Sequence, residues 1–161
     1  MRHGNLFVIS GPSGAGKGTL VARLLREIPD AWVSMSVTTR KPREGEVDGV
    51  HYRFASPEEF QELVDEDGLL EWATYGGNCY GTPRATVEEH IACGDQVILE
   101  IDVQGGFQVR DKFPSAHLVF IEPPSLDVLE ARLRGRGTET EEAIATRMET
   151  ARVELSRKME Y

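Results

Sequence analysis

A glycine-rich segment at Gly11–Thr19 directly follows the apolar run Leu6–Ile9, and this order constrains the fold more than any other feature of the chain. The short apolar run predicts a buried strand, and apolar residues at helical spacing over positions 21–28 predict a helix after the segment. In such a unit, glycines let backbone N–H groups converge on an anion, and the helix N-terminus adds about half a positive charge. The segment therefore predicts a binding loop for a nucleoside triphosphate, with Lys17 reaching the outer phosphates.

The loop matches the Gly-x4-Gly-Lys pattern at Gly11, Gly16 and Lys17, but Gly18 stands where the pattern usually has Ser or Thr. A tight turn of purely structural meaning is the alternative. It would use the glycines for their positive φ but would not need the lysine. The residues predicted to bind the triphosphate are Gly11, Ser13, Gly14, Ala15, Gly16, Lys17, Gly18 and Thr19.

Length and charge narrow the class of protein. At 161 residues the chain suits a single domain, and 18 basic against 27 acidic side chains give a net charge of −9. A nucleic-acid-binding protein normally carries a basic excess, so DNA and RNA are not expected partners. No apolar stretch is long enough for a membrane span, and Cys79 and Cys93 match no metal or redox motif. A cytoplasmic protein without a membrane partner is expected.

Strand patterns alternate with helical patterns, which predicts an α/β fold with a mainly parallel sheet flanked by helices. Predicted strands cover Leu6–Ser10, Trp32–Val37, Gln96–Val103 and His117–Ile121. Predicted helices cover Lys17–Ile28, Pro57–Glu66, Arg84–Cys93, Leu126–Arg134 and Glu141–Met159. Thr138 and Glu141 have the spacing of a capping box, and Gly94 and Gly135 follow predicted helix ends.

The section 38–82 differs from the rest, with aromatic-rich short strands, turns and one helix. It predicts a small α+β lobe inserted into a core made of residues 1–37 and 83–161. An ordinary surface excursion is the alternative. A glycine-punctuated break near 132–140 predicts a lid between two helices, since glycines can serve as pivots.

Arginines cluster in two places outside the loop. Arg40 and Arg43 follow a predicted strand among hydroxyl residues, while Arg132 and Arg136 lie at the glycine-punctuated break with Arg147 further on. A guanidinium offers planar, bidentate donors that match phosphate oxygens, so the first cluster is a candidate for the acceptor phosphate and the second for the lid. Solvated surface charge is the alternative for either cluster taken alone.

Carboxylates end the predicted strand over residues 97–102. Because parallel sheets bind ligands at the carboxyl ends of their strands, Asp102 is expected to face magnesium, a magnesium-bound water or the acceptor nucleotide. The alternative is a helix-capping aspartate before Gly105 and Gly106.

Seven segments together resemble one known family. They are Gly-Pro-Ser-Gly-Ala-Gly-Lys at 11–17, Ser36–Glu46, Gly49–Phe54, Leu70–Ala73, Asn78–Thr82, Ile101–Gly105 and Arg134–Glu141. In order and spacing the chain strongly resembles guanylate kinase, a P-loop nucleoside monophosphate kinase. The resemblance implies magnesium-dependent transfer of the γ-phosphate of ATP to GMP, and to dGMP, giving ADP and GDP. It also implies that lobe 38–82 binds GMP and that the segment near 132–140 is the lid.

The resemblance assigns roles by position. GMP contacts are implied for Ser36, Arg40, Arg43, Glu46, Tyr52, Glu71, Tyr80, Thr82, Glu100 and Asp102. Catalytic cations are implied at Lys17, Arg40, Arg136 and Arg147, ATP contacts also at Arg132 and Arg136, and magnesium contacts at Thr19 and Asp102. Thr19 either replaces the hydroxyl missing at Gly18 or packs in the first helical turn. Relatives continue past the position of Tyr161 with a strand and a helix, which are expected to be absent here. For Tyr52 and Tyr80, a purely structural packing role is the alternative.

Glu71 is the candidate reader of the guanine base. Guanine presents N1–H and its amino group as adjacent donors, which one carboxylate can accept together. Adenine lacks that pair and would leave the carboxylate unpaired, a mismatch worth on the order of 10⁴ in discrimination. Alternation with Leu70 and Trp72 leaves an exposed strand position as the alternative.

Two other functions are weighed against a GMP kinase. A non-catalytic module of the same fold would bind a phosphorylated peptide through the 38–82 lobe, but such a module would not need Gly16, Lys17 and the arginine-rich lid. A kinase for a sugar phosphate would not need Glu71 and Ser36 as a base-reading set.

Overall fold

Two four-stranded sheets organise the chain, and the computed structural model describes residues 2–161 of it. The first sheet has the strand order β2-β7-β1-β8, with all neighbours parallel. Its strands are β1 (Asn5–Ser10), β2 (Ala31–Val33), β7 (Gln96–Glu100) and β8 (His117–Phe120). Because β1 is central, the loop that follows it lies at the middle of the carboxyl edge of the sheet.

Helices connect these strands. They are α1 (Lys17–Glu27), α3 (Arg84–Cys93), α4 (Val103–Lys112), α5 (Leu126–Gly135) and α6 (Glu141–Ser156). The main core lies between the sheet and its helices, where Leu6, Val8 and Leu99 pack with Val87 and Val109. Among residues 2–161, no helix is both long and apolar enough to cross a membrane. The α/β fold with a parallel sheet and flanking helices is therefore confirmed.

The second sheet has the order β4-β3-β6-β5. Its strands are β3 (Val37–Thr38), β4 (Arg53–Phe54), β5 (Leu69–Tyr75) and β6 (Asn78–Pro83), and α2 (Pro57–Asp65) packs on it. Val37, Phe60 and Leu69 form a separate small core. Ser56 and Glu59 cap α2 reciprocally, with Pro57 at its first position. This sheet and its helix are thus held by their own packing.

The strand predicted at Trp32–Val37 is wrong as a single element. Ala31–Val33 pairs with β7 in the first sheet, whereas Val37–Thr38 pairs with β4 and β6 in the second. The chain passes from one sheet to the other through residues 34–36. An apolar pattern records burial but not the sheet in which a residue is buried, so it merged two strands into one.

The strand predicted at Gln96–Val103 is three residues too long, since β7 ends at Glu100. Helix α4 was not predicted, because Gly105 and Gly106 weaken the helical pattern of its first turn. Both glycines are fully packed there: a Cβ on Gly106 would collide with the Tyr161 ring, 2.6 Å from its Cζ. Close packing therefore explains why glycines occupy these two positions, although glycine has a low intrinsic helix propensity.

Three predicted helix boundaries are also corrected. Thr140, not Thr138, caps α6, and its side chain accepts a hydrogen bond from the Ala143 N–H at 3.2 Å. Gly135 is the last residue of α5, and the left-handed turn falls on Gly137 with a φ of 66°. The last helix ends at Ser156 and a short 3₁₀ turn follows. Gly94 does end α3 in the left-handed conformation, as predicted.

Candidate active site

The glycine-rich loop forms a cradle at the centre of the first sheet. Gly14 and Gly16 have φ values of 89° and 105°, and Gly16 directly precedes α1. Gly11 passes so close to β8 that a Cβ there would lie 2.2 Å from the Ile121 carbonyl oxygen. The loop, including Thr19, lines a cavity of about 890 Å³, which is also lined by Glu100, Arg132 and Arg136 among other residues. Backbone N–H groups at a helix start, beside free space of this size, suit an oligophosphate.

Lys17 is one of the cations that line this cavity. Its ammonium group donates to the carbonyl oxygen of Gly11, which holds the side chain over the loop. Burial lowers the pKa of Lys17, while the carboxylates of Glu154, Glu100 and Asp102 oppose that effect. The lysine therefore sits in a partly dehydrated place where its charge acts more strongly on a phosphate than it would in water.

Glu154 of α6 is a member of this cluster that sequence reasoning missed. Its Oε2 is buried and accepts no hydrogen bond from residues 2–161. Burial raises the pKa of Glu154, and the charge of Lys17 opposes the rise. The signal for it was weak, because Glu154 is one of many acidic residues in a predicted surface helix.

Arginines from α5 and α6 reach the loop. Arg132 donates to the carbonyl of Gly14 at 3.2 Å. Arg147 donates to Oγ of Ser13 at 2.9 Å and pairs with Glu139 at 2.8 Å. The sequence-predicted lid cations therefore converge on the cradle from two helices. By contrast, Arg134 pairs with glutamates of its own helix and of α6.

Glu100 and Gly18 face each other across the cavity. Glu100 is exposed at the carboxyl end of β7, and a Cβ on Gly18 would lie 3.9 Å from its Oε1. A hydroxyl at position 18 would therefore point towards a carboxylate. Residues 2–161 hold no group of three or more His, Cys, Asp or Glu arranged for a metal ion. A cation here would need phosphate oxygens as its main ligands, which is how Mg²⁺ is usually held beside nucleotides.

Asp102 caps α4. Its Oδ1 accepts from the Gly105 N–H at 2.7 Å, and its Oδ2 accepts from the hydroxyl of Tyr75. The capping alternative is therefore confirmed, with a second partner that the sequence did not indicate. Because both oxygens are engaged, Asp102 has less freedom to bind a metal than Glu100 has.

Glu71 is buried, with 8% of its surface exposed, so the exposed-strand alternative is wrong. A register shift in β5 between Leu69 and Glu71 breaks the alternation and turns Leu70 and Glu71 both inward. Oε1 of Glu71 accepts from Oγ1 of Thr82 at 2.8 Å, and Oε2 lies against the first turn of α4, 2.9 Å from the Cβ position of Gly105. Burial, with a smaller contribution from Asp102, raises the pKa of Glu71 to about 7.

A second cationic cluster follows strand β3 of the second sheet. Arg40 pairs with Glu46 at 2.9 Å, and its guanidinium lies 5.4 Å from the centre of the Tyr52 ring. Hydrogen bonds from Arg40 and from the backbone N–H of Arg43 lower the pKa of Glu46 to about 2. Tyr80 packs edge-on against Tyr52 at 6.3 Å. Glu46 thus orients the Arg40 guanidinium and holds the backbone at Arg43, and the two tyrosines form an aromatic wall beside Arg40.

The remaining candidate site residues lie around these groups. Ser36 is half-buried in the segment that joins the two sheets, and its carbonyl accepts from the Arg53 N–H at 3.0 Å. Arg43 is exposed, and Arg136 is exposed at the rim of the cavity. The loop, Lys17, Arg132 and Arg147 are in direct contact, whereas Arg40, Tyr52 and Tyr80 form a separate cluster on the second sheet. Glu71 and Asp102 lie between the sheets at the start of α4.

A phosphate cradle on a parallel sheet, with arginines converging on it from two helices, places this chain among the P-loop phosphotransferases. Comparison with known proteins narrows the class. The family model described as Guanylate kinase matches residues 3–161. The chain therefore belongs to the guanylate kinase family and is an enzyme with a GMP kinase role.

Similar proteins cover nearly all of the chain. The guanylate kinase of Desulfitobacterium hafniense (strain Y51) is 54% identical over 159 residues, which are 99% of this chain and 80% of that protein. The guanylate kinase of Synechococcus sp. (strain CC9311) is 55% identical over 154 residues, which are 96% of this chain and 81% of that protein. A crystal structure of guanylate kinase from Anaplasma phagocytophilum matches with a TM-score of 0.73 and 33% identity, over 100% of this chain and 75% of that one.

Proposed function

We propose that this chain transfers the γ-phosphate of ATP to GMP and to dGMP, with the guanine base read by Glu71 and Thr82. The observation that carries this assignment is a buried carboxylate whose pKa is raised to about 7 and whose Oε1 accepts a hydrogen bond from the hydroxyl of Thr82. A carboxylate in so dry a place is costly unless a ligand supplies further donors. The N1–H and amino groups of guanine are such a pair of donors.

The donor nucleotide would bind at the glycine-rich loop. Backbone N–H groups over residues 11–19 would hold the phosphates of ATP, and Lys17 would move from the Gly11 carbonyl to the transferred group. Arg132, Arg136 and Arg147 would add positive charge from the lid side. Phosphoryl transfer depends on position and charge neutralisation more than on covalent chemistry, so cations converging from several elements are what the reaction needs.

The acceptor phosphate would bind at the second sheet. Arg40 and Arg43 offer guanidinium donors, and the hydroxyls of Tyr52, Tyr80 and Ser36 offer neutral ones. Glu46 keeps Arg40 oriented before substrate arrives. A reaction between the two sites then requires residues 37–83 to bring GMP towards the loop, with the lid excluding water.

Magnesium fits the residues at the cradle. Glu100 and Thr19 line the cavity beside Lys17, and Glu100 would hold the ion directly or through water while phosphate oxygens supply the other ligands. The ion, when bound, would neutralise negative charge on the phosphates of ATP. Asp102, whose carboxylate accepts hydrogen bonds from Gly105 and Tyr75, would contribute negative charge near the ion from the acceptor side.

Replacing Gly18 with Ser is expected to lower the magnesium concentration needed for half-maximal rate by about threefold, because the new hydroxyl would face both Glu100 and the metal. The cavity has room for the Cβ, so the melting temperature should stay within about 2 °C of wild type. Rates measured across a magnesium titration test this. Gly18→Ala is the matched control, and an equal shift in both variants would contradict a role for the hydroxyl.

The pH dependence of GMP binding tests the base-reading assignment. In the protein without GMP, Glu71 is protonated below its pKa of about 7. The guanine donors require the ionised carboxylate, so Glu71 must lose its proton when GMP binds. The dissociation constant of GMP should therefore rise as pH falls through about 7, by about fourfold between pH 8.5 and pH 6.5. Calorimetric titrations in this range keep most of the GMP phosphate fully ionised, since its pKa is about 6. ATP binding should lack this slope, and Glu71→Gln should remove it; a slope that persists in that variant would refute the assignment.

A further inference from the structure

Tyr75 joins the two sheets at the acceptor side of the site. It is the last residue of β5, and its hydroxyl donates to Oδ2 of Asp102, which precedes α4 on the carboxyl edge of the first sheet. The other oxygen, Oδ1, is held by the Gly105 N–H at 2.7 Å. The orientation of the Asp102 carboxylate is therefore set by one partner from each sheet.

This contact is the end of a ladder between β5 and α4. Gln108 exchanges two hydrogen bonds of 3.1 Å with the backbone N–H and carbonyl of Trp72. Further along, Lys112 donates to Asp67 at 2.7 Å and to the carbonyl of Leu69 at 2.8 Å. Because these bonds already fasten β5 to α4, the Tyr75 hydroxyl is not needed to join the sheets.

Tyr75 is also not needed for the core. Its side chain is 52% exposed, and its ring packs against Tyr80 with 6.0 Å between ring centres. Tyr75 and Asp102 line a cavity of about 300 Å³ together with Gln104 and Glu154. The hydroxyl of this exposed tyrosine donates to a carboxylate that borders a cavity. Such a hydrogen bond is suited to fixing the orientation of the carboxylate.

We propose that Tyr75 is a positioning residue for the acceptor nucleotide, holding the Asp102 carboxylate in the orientation that GMP meets. The inference rests on the proposed function, in which Asp102 contacts the acceptor. Without the hydroxyl, Asp102 keeps its helix cap through Oδ1, but Oδ2 loses its fixed partner. Tyr75 thereby links the aromatic wall of the second sheet, through Tyr80, to a carboxylate of the first.

Tyr75→Phe tests the proposal, because it removes the hydroxyl and keeps the ring. We expect the KM for GMP to rise about tenfold, the scale of one lost hydrogen bond to a charged group, with kcat and the KM for ATP within about twofold of wild type. Thr74→Val, which removes a hydroxyl from the neighbouring β5 position, is the matched control and should leave all three constants unchanged. Melting temperatures within about 2 °C of wild type should accompany both variants.

Asp102→Asn completes a double-mutant cycle. We expect it to raise the KM for GMP by itself, and Tyr75→Phe to add no more than about twofold in its presence, because the oriented oxygen is gone. An unchanged KM in Tyr75→Phe beside a raised KM in Asp102→Asn would overturn the positioning role and leave the proposed function intact. Fully multiplicative effects would also overturn it. An unchanged KM in Asp102→Asn would remove Asp102 from the acceptor site, and the inference with it.

Discussion

Replacing Lys17 with Met will lower kcat by at least about 10³-fold and leave the dissociation constant of GMP within about twofold of wild type. The ammonium group is the cation held over the cradle, bound to the Gly11 carbonyl, and removing one such charge from a transition state costs about as much as removing an oxyanion-hole donor. GMP would bind through the second sheet, which Lys17 does not contact. Steady-state rates and GMP calorimetry on the same preparation measure both quantities.

Loss of folding will not explain the result. Burial lowers the pKa of Lys17, so an uncharged side chain of similar length should be tolerated at that position, and the melting temperature should not fall. Lys158→Met is the matched control, since Lys158 pairs with Glu122 at 2.6 Å and does not line the cavity. A Lys17→Met enzyme that retains a tenth of the wild-type rate would exclude the proposed role of the loop lysine.

Replacing Glu71 with Gln will lower kcat/KM for GMP on the order of 10²- to 10³-fold and leave the KM for ATP nearly unchanged. The amide can still accept from Thr82 at Oε1, but its NH₂ group would face the guanine donors at the position of Oε2. Donor facing donor in a buried site costs the full desolvation of both groups. Glu62→Gln, an exposed change on α2 of the same lobe, is the control and should have no effect.

The same variant should be more stable than wild type at alkaline pH. Because the folded pKa of Glu71 is about 7 and its ordinary value is 4.5, protonated Glu71 favours folding, and that contribution is fully present below 4.5 and lost as pH rises through about 7. Glutamine imitates the protonated form at every pH. At about pH 8 the free energy of unfolding should therefore favour Glu71→Gln by up to about 3 kcal/mol, and by nearly nothing at about pH 4.5. Equal free energies of unfolding for wild type and variant at both pH values, measured in urea titrations, would show that ionisation of Glu71 costs the folded protein no stability.

A gain in stability with a loss of GMP binding would identify Glu71 as a residue kept for function. Stabilising changes that reduce activity are expected where a site holds a buried ionisable group ready for its ligand. A loss of stability at every pH would instead mark Glu71 as a structural residue, bound to Thr82 for the sake of the hairpin between β5 and β6.

The cradle could be predicted from sequence because its determinants are local. Gly11, Gly16 and Lys17 are fixed by spacing, and the apolar run before them sets the strand. Their contacts with Arg132 and Arg147 depend on how α5 and α6 fold back, which no local pattern records. Both arginines were nevertheless found, through motif order rather than through geometry.

The features that were missed are all tertiary. The chain leaves the first sheet after Val33 and enters the second at Val37, and both segments are apolar. Helix α4 has glycines at its third and fourth positions because Tyr161 and Glu71 pack where side chains would be. Tyr75 carried no signal, since an aromatic residue at a strand end is ordinary until Asp102 is seen beside its hydroxyl.

The most direct measurement is ADP release by this 161-residue chain with ATP and magnesium, with GMP, dGMP, AMP, CMP and UMP offered in turn. The proposed assignment predicts turnover with GMP and dGMP, and kcat/KM for AMP lower than for GMP on the order of 10⁴-fold, because adenine lacks the adjacent N1–H and amino donors that Glu71 would accept. Comparable turnover of AMP and GMP, or GMP binding without ADP release, would contradict it.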